Sequence, residues 1–326
     1  MERESHVFDK LDLQVLSALE VNGRASFSRI GAVLGVSDQT VARRYRRLCA
    51  EGGLRVVALR DGDALGLDQW TLRLRCVPDS AQTIAEALAK RPDTSWIGLA
   101  SGGTEVVLGT RARNPGERDD LLLSKLPRTP HVLEIRAYQK LHRFFGGPQG
   151  WLRKFALLAP DQIEALTPDL VPDPGPARID PEDEPLLAVL ERDGRAAYPE
   201  LQRATGRSES AVRRRLDTLL ASGAVFLDSE FDPEAIGRPV YAALWLTVAP
   251  AALHSVGEAL ASHAHIAHAS ATAGPSNLIA TAVVRNTADL YAYLTGPLGR
   301  LEGVQHIEAT PYLRSVKQLT YRPRPR

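Results

Sequence analysis

The sequence predicts an α+β fold in which one unit of roughly 140 residues occurs twice. Two observations predict it. Residues 16–52 and 187–223 share 14 identical residues in 37 ungapped positions, where average composition gives about two or three. In each copy a segment with helical periodicity is followed by a segment that alternates with strand period. The match continues at a shift of 172 residues, which places Arg113 and Asn114 on Arg285 and Asn286.

Composition limits the function classes. The chain has 326 residues, long enough for two domains, and 40 basic against 39 acidic residues, so binding to nucleic acid needs a local patch rather than global charge. Two cysteines exclude a disulfide framework and a four-thiolate zinc site. The charged N-terminus and the lack of a long apolar window predict no signal peptide, no membrane span and a cytoplasmic protein.

The first part of each copy predicts three helices. Asp9 is placed to cap the first helix and Ser26 begins a short second one. Gly35 supplies the tight turn before Ser37, which caps the third helix. In the second copy Ser208 takes the capping role. Two helices joined by a tight glycine turn, the second of them basic, form the helix-turn-helix pattern.

The second part of each copy predicts the order βαββαβ, the split ferredoxin-like arrangement. The first strand alternates clearly, with Leu72 and Leu74 on one face and Arg73 and Arg75 on the other. The predicted elements of the first copy are Trp70–Cys76, Ser80–Arg91, Thr94–Ser101, Glu105–Ala112, Pro115–Leu126 and Val132–Leu141. Those of the second are Tyr241–Val248, Ala252–Ser262, Ile266–Thr272, Asn277–Arg285, Thr287–Gly299 and Val304–Leu313.

A segment between the copies has no counterpart. Its first part is apolar around Trp151 and is expected to pack onto one copy or to bridge the two, and its second part holds five prolines between Pro168 and Pro181. The predicted organisation is therefore a helix-turn-helix domain at 1–62, a βαββαβ domain at 66–142, a linker at 143–178, a second helix-turn-helix domain at 179–232 and a second βαββαβ domain at 238–322.

Together these motifs resemble the Lrp/AsnC (feast/famine) family of transcription regulators. The residues that carry the resemblance are Leu11-Asp12, Asn22-Gly23-Arg24, Leu34-Gly35-Val36-Ser37, Thr40-Val41, Arg44, Leu48 and Gly52, and in the second copy Asp193-Gly194-Arg195, Gly206, Ser208, Val212-Arg213-Arg214-Arg215, Leu219 and Gly223. The resemblance implies two winged-helix/helix-turn-helix modules, each followed by a ferredoxin-like (RAM/AsnC-type) domain that binds ligands and oligomerises.

The resemblance also implies which residues contact DNA. In the first copy these are Ser37, Gln39, Thr40 and Arg43, facing bases, with Arg44 and Arg47 on phosphates; in the second copy they are Ser208, Ser210, Arg213, Arg214 and Arg215. Arginine suits both roles, because its guanidinium pairs with guanine and bridges phosphates. The alternative is a solvated basic helix face. Asp217 stands where the first copy has Arg46, which makes the second copy the better candidate for lost DNA contact.

In this family the loop between the second and third strands carries a Gly-x-x-Asp pattern near an effector pocket. The candidate effector residues here are Ser101, Gly103, Thr104 and Glu105, and in the second copy Thr272, Gly274, Ser276 and Asn277. Neither loop has the aspartate: a glutamate could still accept a hydrogen bond from an ammonium, whereas asparagine has lost the charge. Tight glycine hairpins without a ligand are the open alternative.

The expected partners are double-stranded DNA with an imperfect palindromic operator, an amino-acid or other small-molecule effector, and further copies of the chain, without a membrane. Duplication allows the family's dimer to form inside one chain, although mixed pairing between chains is equally compatible. A cytoplasmic, nucleoid-associated location follows from that role.

No catalytic constellation, metal site or cofactor is predicted. His263, His265 and His268 are loosely spaced and lack a carboxylate or thiol, so surface or structural roles fit them better than a metal. One enzymatic alternative stays open, because sirohaem decarboxylases share this architecture, although they carry a His-Asn-Tyr run where this chain has Ala267-His268-Ala269. A third alternative is an effector-binding partner that no longer contacts DNA.

Overall fold

The structure is a computed structural model that describes residues 8–171 and 175–320. The termini of the predicted first and last domains (1–7 and 321–322) and linker residues 172–174 lie outside the described residues. The described chain divides into two compact units. A helical unit contains the residues up to Leu65 and those from Gly147 to Gly237, and a sheet unit contains Gly66–Gly146 and the residues from Arg238 onward.

The helices follow the predicted order. They are α1 Lys10–Val21, α2 Phe27–Leu34, α3 Asp38–Glu51, α4 Ala81–Ala89, α5 Pro115–Asp119, α6 Pro160–Leu166, α7 Glu184–Leu190, α8 Tyr198–Thr205, α9 Glu209–Ala221, α10 Leu253–Ser262 and α11 Thr287–Tyr293. The predicted caps are confirmed: Asp9 accepts the Asp12 backbone N–H, and Ser37 and Ser208 cap α3 and α9. The predicted helices that begin at Pro115 and Thr287 change to π-helical turns after α5 and α11, at Asp120–Lys125 and Leu294–Leu298.

The strands are β1 Arg55–Arg60, β2 Trp70–Cys76, β3 Thr94–Ala100, β4 Glu105–Thr110, β5 Val132–Phe145, β6 Val225–Glu230, β7 Val240–Val248, β8 Ile266–Ala273, β9 Leu278–Val284 and β10 Val304–Lys317. Two of them, β5 and β10, extend past their predicted ends at Leu141 and Leu313. The reason is that each is hydrogen-bonded on both edges, β5 to β2 and β8, and β10 to β7 and β3. Strand β5 thus includes the first three residues of the predicted linker.

The helical unit contains both helix-turn-helix modules. Strands β1 and β6 pair antiparallel, with Val57 opposite Asp228 at the centre of the register. The core of the second module is formed by residues such as Leu187, Leu216 and Leu219, and Ala58 of β1 packs into it. The two modules therefore share a two-stranded sheet and part of one core.

The predicted linker packs onto the first module. The Gln14 side chain donates to the carbonyl of Leu157, that of Asn22 to Leu166, and that of Arg29 to Ala165 and Thr167, at 2.8–3.1 Å. The Glu20 carboxylate accepts the N–H of Leu152 at 2.9 Å. The start of the segment, at Gly147–Gln149, also lies against β6 of the second module.

The sheet unit is a closed eight-stranded barrel in the order β10-β3-β4-β2-β5-β8-β9-β7. Each βαββαβ segment supplies four adjacent strands that pack on its own helices, while the ends of β5 and β10 reach α10 and α4 of the other segment. Closure removes every free sheet edge from the barrel. Within the described ranges, no helix has the length and apolar composition that crossing a bilayer requires.

Candidate DNA-binding and ligand-binding sites

The first helix-turn-helix presents the start of α3 to solvent. Gly35 ends α2 in the left-handed conformation, with φ of 69°, and the turn leads directly to the Ser37 cap. Ser37, Gln39 and Arg43 are exposed and Thr40 is half-buried. The Ser37 hydroxyl lies 3.0 Å from that of Thr40. This surface combines an exposed guanidinium with hydroxyl and amide groups, a set suited to base edges in the major groove.

The second helix-turn-helix has the same geometry. Gly206 ends α8 with φ of 68°, and Ser208, Ser210, Arg213 and Arg214 are exposed on α9. Arg213 contacts Glu209 one turn earlier, at 3.0 Å, and lies over the Tyr198 ring at 4.1 Å. Those contacts hold the Arg213 guanidinium along the helix surface.

Two arginines of α3 that were predicted to contact phosphates bind carboxylates of their own module. Arg44 donates to Asp9 at 2.5 Å and to the fully buried Asp12 at 3.1 Å. Arg47 bridges Asp12 at 3.0 Å and Glu51 at 2.9 Å. Since α3 is thereby fastened to the start of α1, the geometry favours a structural role for both arginines.

Arg215 repeats this arrangement in the second module. Its guanidinium donates to both carboxylate oxygens of Asp183, at 2.8 and 2.5 Å, and to Asp180 at 3.1 Å. Burial acts to raise the pKa of Asp183, but hydrogen bonds from Arg215 and from the Asp180 backbone outweigh it and hold that pKa below its usual range. The sequence carried a signal for this role, because the Asp12–Arg44 and Asp183–Arg215 pairs have the same separation.

Reciprocal arginines fasten the two modules to each other. Arg24 donates to the carbonyls of Gly194 and Ala196 at 2.7 and 3.0 Å, and Arg195 donates to those of Gly23 and Ala25 at 2.6 and 3.0 Å. Arg24 lies over the Tyr198 ring and Arg195 over the Phe27 ring, both at 5.0 Å. Both arginines belong to the repeated Gly-Arg-Ala motif, whose sequence alone does not indicate this contact.

The candidate effector loop of the first βαββαβ segment borders a cleft of about 290 Å³. The loop contributes Ser101, Thr104 and Glu105 to this cleft, and the neighbouring strands contribute Arg73, Arg75, Glu134, Arg136 and Glu308. Gly103 adopts a positive φ of 86°, which permits the tight return of the chain. The volume is at the low end for small-molecule pockets, so the cleft suits a small polar ligand.

Charge in the cleft is organised around Arg73. Its guanidinium contacts Glu105 at 2.6 Å and Glu308 at 2.7 Å and stacks on Trp245 at 4.5 Å. Arg73 lowers the pKa of Glu308 through a hydrogen bond and its positive charge, which outweigh burial. Ser101 donates to Glu105 at 2.7 Å. Strand alternation predicted that Arg73 lies on the polar face of β2, whereas no local pattern indicated that Glu308 would be its partner.

The corresponding second loop is closed by its own hydrogen bonds. The Asn277 side chain accepts the N–H of Val248 at 2.8 Å and donates to its carbonyl at 2.7 Å. The Thr272 hydroxyl donates to the carbonyl of Ser276 at 2.8 Å, and a Cβ on Gly274 would lie 2.9 Å from the Tyr138 ring. These contacts match the tight-hairpin alternative better than a ligand site.

The histidines named in the sequence do not converge. His263 hydrogen-bonds the Tyr293 hydroxyl at 2.9 Å, and the half-buried His268 pairs with Ser270 at 2.9 Å. Burial lowers the pKa of His265 and that of His268. Among residues 8–171 and 175–320, no three histidine, cysteine or acidic side chains are grouped so that they could hold a metal ion.

Solved structures show the same fold. The crystal structure of the siroheme decarboxylase NirDL aligns with 95% of this chain and 93% of its own, with a TM-score of 0.59 and 14% identity. That likeness supports the fold alone, because the identity is low.

Sequence relatives are transcriptional regulators. An HTH-type transcriptional regulator of Pyrococcus furiosus is 29% identical over 122 residues, covering 37% of this chain and 82% of the relative. The HTH-type transcriptional regulator FL11 of Pyrococcus horikoshii is 26% identical over 146 residues, covering 44% and 96%.

Family models match three parts of the chain. An AsnC-type helix-turn-helix domain matches residues 8–48, a winged helix-turn-helix DNA-binding domain matches 183–225 and an Lrp/AsnC ligand-binding domain matches 241–321. The chain therefore contains an AsnC-type helix-turn-helix domain and an Lrp/AsnC ligand-binding domain, the two parts of an Lrp/AsnC-type DNA-binding transcriptional regulator.

Proposed function

We propose that this regulator is a tandem duplication whose two copies pair with each other and bind one DNA site with two different recognition helices. Copy 1 denotes residues 8–145 and copy 2 residues 179–320. The observation that carries the proposal is the reciprocal bonding of Arg24 and Arg195 around the β1–β6 pair. Reciprocal contacts of this kind are typical of a two-fold interface, here formed by two segments of one chain.

The operator is an imperfect palindrome. Arg43 and Arg214 stand at matching positions of α3 and α9 and supply the main base contacts, supported by Ser37, Gln39 and Thr40 in copy 1 and by Ser208 and Ser210 in copy 2. Two half-sites about one DNA turn apart (about 34 Å) suit such a pair. Because the helices differ at 39/210 and 40/211, the half-sites differ in sequence.

The effector is a small polar molecule, such as an amino acid, that binds in the Arg73 cleft of the barrel. Ser101, Thr104 and Glu105 line it from copy 1, so the ligand touches the loop that sequence analysis selected. Copy 2 contributes Glu308 and keeps its own loop closed. We further propose assembly of the chain into homo-oligomers and association with the nucleoid in the cytoplasm.

Fluorescence anisotropy tests the DNA-binding part of the proposal. The full chain is titrated with DNA from upstream of its own gene at two salt concentrations, alongside Arg43→Ala, Arg214→Ala and the double variant. Each single variant should weaken binding about 5- to 100-fold, the cost of about 1–3 kcal/mol for one good base contact. Arg192→Ala, an exposed arginine at the end of α7, is the matched control and should leave affinity unchanged.

The two single variants separate the outcomes. Loss in both supports two working recognition helices. Loss in Arg43→Ala alone makes copy 2 a scaffold and contradicts the two-reader proposal. A full chain that binds no DNA at low salt, with or without added amino acids, rejects the proposed operator.

A second candidate function rests on the likeness to NirDL over nearly the whole chain. Under this alternative the barrel holds sirohaem as substrate. His268 stands at the histidine-containing run of those enzymes but is bonded to Ser270, and the Arg73 cleft is small for a tetrapyrrole. A shift of the Soret band on mixing the full chain with sirohaem would support the enzyme, and an unchanged spectrum would reject it.

A further inference from the structure

We propose that the two copies have diverged into a charge-complementary pair, in which arginines of copy 1 bind glutamates of copy 2, so that pairing of unlike copies is specified over pairing of like copies. The inference rests on the proposed pairing of the two copies. It adds a reason why copy 1 pairs with copy 2 rather than with another copy 1. It does not depend on DNA binding or on the effector.

The barrel shows the first complementary contact. Strand pairing identifies the counterparts: β2 places Arg73 opposite Arg136 of β5, just as β7 places Trp245 opposite Glu308 of β10. Arg73 of copy 1, 8% exposed, crosses to Glu308 of copy 2 and stacks on Trp245.

Pairing of two identical copies would remove the contact between Arg73 and Glu308. In a copy 1–copy 1 barrel, the counterparts place Arg136 where Glu308 now lies and a second Arg73 where Trp245 lies, so Arg73 would meet arginines of the other copy instead of a carboxylate. In a copy 2–copy 2 barrel, each Glu308 would face a tryptophan and no arginine. Both arrangements lack the arginine–glutamate contact between copies that the present pairing forms.

In the helical unit, too, an arginine of copy 1 binds glutamates of copy 2. Arg60 of copy 1 binds Glu184 of copy 2 through two hydrogen bonds, at 2.7 and 2.8 Å, and Glu191 through one at 3.0 Å. At the 171-residue shift, the counterpart of Arg60 is Phe231, and Leu13 is the counterpart of Glu184. A copy 2–copy 2 pair would therefore hold acids without an arginine.

Some contacts between the copies do not distinguish like from unlike pairing. Arg24 and Arg195 are counterparts that bond backbone carbonyls, so their contacts would form in either kind of pair. The side-chain charges thus supply a choice of partner that the shared backbone contacts lack.

Disulfide reporters in the full chain test the inference. Gln139 on β5 lies opposite Ala273 on β8, and neighbouring antiparallel residues are close enough for a disulfide. Gln139→Cys with Ala273→Cys reports pairing of unlike copies. Gln139→Cys with Ser101→Cys reports copy 1–copy 1 pairing between chains, because Ser101 is the counterpart of Ala273. After mild oxidation, non-reducing gels distinguish the disulfide within one chain from the disulfide between chains. The chain without added cysteines gives the background.

Each reporter is combined with charge reversals. Arg73→Glu should raise the copy 1–copy 1 dimer at least tenfold relative to the unlike product, because a glutamate at 73 would face Arg136 of another copy 1. Adding Glu308→Arg should restore the unlike product. Arg118→Glu is the matched control, since Arg118 pairs with Asp68 and Asp119 of its own copy, and it should not move the ratio.

Three results would overturn the inference. They are a copy 1–copy 1 disulfide in the chain without charge reversal, a ratio that Arg73→Glu leaves unchanged, or a control that shifts it equally. If Arg73→Glu alone fails to fold, the reversed pair decides: unlike pairing restored by Glu308→Arg supports the inference, and its absence rejects it.

Discussion

We expect Arg214 of α9 to bind DNA and the adjacent Arg215 to stabilise the fold. The variants Arg214→Ala and Arg215→Ala can distinguish these roles. Arg214 is exposed on the recognition surface, whereas Arg215 points into the module and binds Asp183 and Asp180. Removing Arg215 leaves Asp183, 1% exposed, without its cation and frees α9 from the segment before α7.

The cost of Arg215→Ala follows from that geometry. Breaking a buried ion pair by removing one partner costs about 3–5 kcal/mol. Because Asp180 keeps 29% and Arg215 25% side-chain exposure, water screens part of the interaction, and we expect roughly 2–3 kcal/mol. For a unit of this size that corresponds to a fall in Tm of roughly 4–12 °C. Arg214→Ala should change stability by less than about 0.5 kcal/mol.

Thermal unfolding by circular dichroism and DNA binding by anisotropy, on the same samples, check this division. Arg214→Ala should keep its Tm and lose affinity, while Arg215→Ala should lose Tm and bind DNA normally well below its transition. A normal Tm for Arg215→Ala with a large loss of affinity would refute the reasoning and return Arg215 to the DNA contacts predicted from the sequence.

Three further predictions concern residues outside the recognition helices. Burial and the charge of Asp228 raise the pKa of Glu20 from 4.5 to about 8, so the folded state keeps a proton that the unfolded chain releases. The free energy of unfolding should therefore fall as pH rises from 5 to 8, by up to about 1.4 kcal/mol per pH unit. Glu20→Gln should flatten that slope in urea titrations. Asn277→Ala removes two hydrogen bonds to the Val248 backbone and should cost about 1–3 kcal/mol, seen as a lower urea midpoint; an unchanged midpoint would contradict the structural role. Arg24→Ala should weaken DNA binding without touching DNA and relax its preference for half-site spacing; a retained preference across operators of varied spacing would show that the clamp does not fix the two helices.

Local chemistry decided what could be predicted from the sequence. Helix caps depend on residues three positions apart, and the glycine turns need only a positive φ, so Ser37, Ser208 and Gly35 identified both helix-turn-helix motifs. Strand alternation likewise placed Arg73 on the polar face of β2, although not its partner. The repeat itself gave the order of elements in both halves.

Tertiary structure decided the directions of long side chains and the closure of the barrel. Arg44 and Arg215 sit on helix faces that a periodic pattern assigns to solvent, but their flexible stems reach back to aspartates 32 residues earlier. Arg73 meets Glu308 across 235 residues of chain, because β5 and β10 each pair with strands of both halves. The sequence by itself therefore determined the modules, since caps, turns and periodicity act over a few residues, whereas only the tertiary structure decided which arginines stay exposed, which line the cleft and which hold the halves together.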